Sequence, residues 1–171
     1  MNNKGFSLIE TLVVMIVIAL LLVLLLPAIV NVYTSVKRNN YTSKIGHIET
    51  ATLNYANQFK DEIKNQTCVD YSLSDLISKG IIQSDNKGAN EVKNPSNGEI
   101  LTGVVKVCYC KNKLDLQANY VETYNPNTYY HKGDKIVYNN ILYTCINDAE
   151  PNKLFNGSNV NTNNYQIIDC N

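Results

Sequence analysis

The sequence predicts an α+β protein: a long N-terminal helix packed on an antiparallel sheet, with a small β module at the C-terminus. Three observations predict it. The run Leu12–Val30 holds nineteen residues without a charge or an amide. After it, Tyr41, Ile45, Ile48, Thr52, Tyr55 and Phe59 recur at alternating steps of four and three, one stripe of a helix. Further on, apolar–polar alternation over Ile100–Tyr109 and again before Thr144 has the period of strands.

The apolar run would span roughly 28 Å as a helix, close to the hydrocarbon thickness of a bilayer. It is too long for a secretory signal and ends Pro27-Ala28-Ile29-Val30 with no small-residue cleavage pattern. A plain membrane anchor would explain the run. It does not explain Lys4-Gly5-Phe6-Ser7-Leu8-Ile9-Glu10, which sets a carboxylate at the mouth of the apolar segment. An ionised Glu10 at a membrane edge costs ~2 kcal/mol or more without a partner. Near a helix start it is also favoured by the macrodipole.

The order Gly5, Phe6, Glu10 resembles the prepilin signature of type IV pilins and type II secretion pseudopilins. The resemblance implies cleavage after Gly5 by a prepilin peptidase, N-methylation of Phe6, and a single-pass membrane prepilin. It further implies extraction by a platform protein and an assembly ATPase into a cell-surface filament of pilin subunits. In that setting the new amine of Phe6 in one subunit would neutralise Glu10 of the next. Pro27 removes one internal hydrogen bond and marks a helix kink, and pilins resemble this chain in carrying a proline there. Lys37, Arg38 and Lys44 follow the span, so charge counting alone argues for the opposite orientation; the processing motif is taken to overrule it.

The helix is expected from Phe6 to Phe59, its transmembrane part over 12–30, after a cleaved leader of residues 1–5. Residues 60–119 are expected to form a head. Tyr71–Gly80 reads as a short helix with Ser72 or Ser74 as its cap and Gly80 at its end. Asn94-Pro95-Ser96-Asn97-Gly98 reads as a turn, and Ile100–Tyr109 as a strand. This block resembles the globular head of Gram-positive type IV pilins and pseudopilins.

Residues 120–171 are expected to form a second small β module. Tyr129–Thr144 reads as a hairpin turning at Asn139-Asn140, and Tyr165–Asp169 as a last strand. Its Tyr130, Gly133, Asp134, Val137, Tyr138, Tyr143, Pro151 and Tyr165 resemble the pattern of small carbohydrate-binding modules of chitinases. Here the usual tryptophans are absent and Asn140 stands where the turn glycine does. The resemblance implies glycan stacking on Tyr124, Tyr130, Tyr138, Tyr143 and Tyr165, and hence an adhesin-type minor pilin. The bland alternative makes those tyrosines core.

All five cysteines lie beyond the apolar run, where an exported domain permits disulfides. Cys145 and Cys170 at strand ends are the favoured pair. Cys108 and Cys110 share a strand face, so one of them is expected to meet Cys68. Cys108-Tyr109-Cys110 lacks the spacing of common zinc sites, so no metal is assigned.

Fifteen basic and fifteen acidic residues leave no global field for nucleic acid. The two histidines, His47 and His131, fall in no catalytic set, and Gly133 and Gly157 form no phosphate loop. No enzyme activity and no cofactor are therefore expected.

Overall fold

The computed structural model describes residues 7–66, 68–86, 88–156 and 159–170. Helix α1, Leu8–Ala56, has 49 residues and runs unbroken through Pro27. At 1.5 Å per residue it is roughly 73 Å long. The stripe holds as Tyr41, Ile45, Ile48 and Thr52, then shifts to Ala56 instead of Phe59. There a 3₁₀ turn, Asn57–Phe59, changes the helical phase. Helix α2, Lys60–Gln66, follows and buries Ile63. The helical segment therefore passes the expected end at Phe59, helped by Asp61 and Glu62 in its first turn and Lys64 in its last.

Two of the longer strands escape the sequence reading. β1, Cys68–Ser72, runs straight into helix α3, Leu73–Ser78, whose N-cap is Ser72. Because Ser72 ends one element and caps the next, Tyr71 and its neighbours read as helix. α3 ends as expected: Gly80, at φ +70°, donates to the Ile77 carbonyl while Ile81 N–H reaches that of Leu76. Strand β2, Val104–Cys110, starts four residues after the expected Ile100. β3, Asp115–Thr123, is hidden by its polar alternate positions, Gln117 and Asn119, and by a small Ala118.

The remaining strands are β4, Lys135–Tyr138, β5, Ile141–Cys145, the short β6, Phe155–Asn156, and β7, Asn159–Val160, and finally β8, Tyr165–Ile167. Six strands form one sheet in the order β1-β2-β3-β4-β5-β8. All its pairs are antiparallel except β3–β4, which run parallel at Glu122↔Ile136 and Thr123↔Val137. The sheet is thus mixed rather than purely antiparallel. The β4–β5 hairpin turns at Asn139 and Asn140, both at positive φ, as a two-residue turn demands.

A boundary at 119/120 falls inside β3, so head and module share a strand. Two buried clusters distinguish them instead. Val105, Val107, Leu116 and Tyr120 pack beneath Ile48 and Ala56 of α1 with Leu76 and Val92. Tyr130, Ile136, Tyr143, Leu154 and Tyr165 pack separately in the module.

Gly103 precedes β2 where two backbones meet. A Cβ there would lie 2.4 Å from the Val121 carbonyl oxygen and 2.6 Å from the Tyr120 ring. Its N–H donates to the Tyr120 hydroxyl at 3.0 Å. Gly103→Ala is therefore expected to lower stability by about 2–4 kcal/mol, read as an earlier urea midpoint with an unchanged slope.

Candidate assembly helix and the head–module seam

The N-terminal end of α1 is closed by a capping box. Ser7 Oγ accepts from Ile9 N–H at 3.4 Å, and Glu10 Oε2 accepts from Ser7 N–H at 3.1 Å. Within one chain Glu10 thus satisfies an orphan helix donor and has no cationic partner among the described residues. Gly5 and Phe6, the expected cleavage and methylation positions, lie outside the described residues.

Every residue from Leu8 to Val36 is exposed, although the stretch is almost wholly apolar. Among the described residues one helix is long and apolar enough to cross a membrane. From Tyr41 onward the same helix turns its stripe onto the sheet. One continuous rod therefore joins an uncovered apolar half to a half that carries the head.

The five tyrosines expected as a sugar-stacking surface are not one. Tyr130, Tyr143 and Tyr165 are core residues, and Tyr124 and Tyr138 are half-buried against them. The Tyr124 ring stacks on Tyr130 at 5.8 Å and meets Tyr138 edge-on at 5.7 Å. A module this small, without tryptophan, spends its aromatic rings on its own interior.

The favoured Cys145–Cys170 pair does not form, whereas Cys108 is the one of the two strand cysteines that meets Cys68. Cys68 bonds to Cys108 directly across the β1–β2 register, and Cys110 bonds to Cys170. Cys145 is a buried free thiol. The reason is strand direction. β8 runs antiparallel to β5 with Tyr165 opposite Cys145, which carries Cys170 to the far end of that pair and onto β2. Lys111 N–H donating to the Cys170 carbonyl at 2.9 Å fixes the tail there.

Burial, reinforced by Asp134 and Asp148, pushes the Cys145 thiol up to about 11. At pH 8 about one thiol in a thousand is then a thiolate. The folded protein is expected to take up no iodoacetamide. Unfolded without reductant, it should take up a single adduct by mass. Labelling of the native chain, or three adducts on unfolding, would contradict this placement.

Two charged contacts bind the module to α1. Arg38 Nη2 donates to Asp134 Oδ1 at 2.6 Å and to the Lys132 carbonyl at 3.0 Å. Glu49 Oε1 accepts both Lys135 Nζ and the Tyr120 N–H, each at 2.7 Å. Tyr120 needs that acceptor because β4 joins β3 only at Glu122, leaving the Tyr120 N–H unpaired on that side. Sequence reading passed over both residues. Arg38 reads as a charge flanking the membrane span, and Glu49 falls outside the apolar stripe of the helix. Only their position, about one turn before and about two turns after Tyr41, hinted at contact with the head.

Beside this seam lies a cleft of about 580 Å³, lined by α1, the 94–102 segment, the end of β3 and the module. Among the described residues no three His, Cys, Asp or Glu side chains gather as a metal site would require.

No curated protein and no solved structure matches the chain. One family model does, described as the prokaryotic N-terminal methylation motif, and it covers residues 1–26. The first 26 residues thus carry the motif that type IV pilin-like and pseudopilin subunits share, and it runs on into an exposed helix long and apolar enough to cross a membrane.

Proposed function

We propose that this protein is a structural subunit of a type IV pilus-like filament, cut after Gly5 and assembled through its N-terminal helix. The observation that carries the reading is the division of α1. Its residues 8–36 are uncovered and apolar, while residues 41–56 are anchored on the sheet. An apolar rod of this size is stable in only two environments, lipid or a bundle of like helices. A prepilin uses both in turn. The partners are other copies or relatives of this chain, a prepilin peptidase, a platform protein and an assembly ATPase.

Mass spectrometry of the mature protein tests this. The expected N-terminus is a methylated Phe6, so the mass falls by residues 1–5 and rises by one methyl group. An intact leader on protein recovered from the cell surface would remove the filament reading.

A further inference from the structure

We infer that the cleft between head and module is a binding site for an uncharged, hydroxyl-rich ligand, a saccharide segment. Its volume of about 580 Å³ falls within the usual range of small-ligand sites, about 300–1,000 Å³, and it sits at a junction of two cores, where such sites concentrate.

The charge of its walls selects the ligand. Arg38 and Lys135 line it and are both already neutralised, by Asp134 and Glu49, and His131, which also lines it, lies 3.8 Å from the Asp148 carboxylate. That leaves no cation to hold a phosphate, sulfate or sialic acid. Glu99 and Glu122 also line it, with no ion-pair partner among the described residues. Each spends one oxygen locally: Glu99 Oε2 accepts from Asn97 Nδ2 at 2.7 Å, and Glu122 Oε1 from the Tyr120 hydroxyl at 2.9 Å. The second oxygen of each carboxylate remains to accept ligand hydroxyls. With two cations against three carboxylates on the walls, the field is too weak to select a polycation.

The remaining requirement is a flat apolar face. Tyr129 supplies it: the ring is 41% exposed, lines the cleft, and is braced edge-on by His131 at 4.9 Å. Sugar C–H faces pack against such rings while their hydroxyls reach amides and carboxylates. Of the five module tyrosines only Tyr130 reaches the wall of this cleft, and its ring is held in the module core.

The test is a glycan array carrying neutral, amino, sialylated and sulfated glycans, with a Lys/Arg-rich peptide as control, probed with the full chain in detergent micelles. Retention on at least one neutral glycan is expected, weakened about tenfold or more by Tyr129→Ala and by Glu99→Ala. Both residues are exposed, and an unchanged circular dichroism spectrum shows that each variant is folded. No retention on neutral glycans, retention unaltered by both substitutions, or retention only on anionic glycans or the basic peptide would each overturn the proposal. Processing of the N-terminus is read separately, so the two readings fail independently.

Discussion

Glu10→Gln is expected to leave the chain inserted and cut after Gly5, yet to abolish filaments. Gln keeps the shape of the capping box, because its amide oxygen can still accept the Ser7 N–H that Glu10 Oε2 accepts at 3.1 Å. What it removes is the charge. If Glu10 serves only to cap α1, the variant assembles normally. If it neutralises the Phe6 amine of a neighbouring subunit, the variant leaves that amine unpaired among packed apolar helices. Such a loss costs about 2–4 kcal/mol per subunit contact, a factor of tens to hundreds repeated along the polymer. Counting surface filaments by electron microscopy, with membrane levels matched by blotting, decides between them.

Replacing Cys110 and Cys170 together by alanine is expected to cost about 2–4 kcal/mol, chiefly in the module. Their bond closes a loop 60 residues in separation that contains all of β3 to β8. Chain-entropy arguments assign about 4 kcal/mol to a closed loop of that size, and measured values are commonly smaller. Besides the Arg38 and Glu49 contacts, the module is held by a core of few residues and a sheet junction of two paired positions at β3–β4. The readout is amide hydrogen exchange. Faster exchange over β4, β5 and β8, with β1, β2 and α1 near Ile48 unchanged, is the expected pattern. Uniform loss across both clusters would show instead that head and module unfold as one unit.

How much was legible follows the range of each interaction. The span Leu12–Val30, the α1 stripe, the Ser72 cap, the Gly80 stop and the Asn139-Asn140 turn are all local in sequence, and periodicity or turn chemistry reveals them. β1 escaped because Ser72 serves two elements, and β3 because its far face carries Gln117 and Asn119. The Cys110–Cys170 bond escaped because its geometry depends on β8 running antiparallel to β5, a sheet order no local pattern encodes. The module tyrosines matched a spacing, but spacing does not say which side of a sheet faces its own core.

By itself the sequence determined the mode of anchoring and the half of the helix that carries the head, because charge absence and helical period act within a few residues. Only the tertiary structure decided the rest: the mixed sheet, the pairing of Cys110 with Cys170, the burial of the tyrosines, and the Arg38 and Glu49 contacts. Each of those depends on segments from different elements meeting at one place, 14 residues apart at the parallel β3–β4 pair, 60 at the disulfide and 96 at Arg38–Asp134. Which meetings occur is settled by packing the whole chain at once.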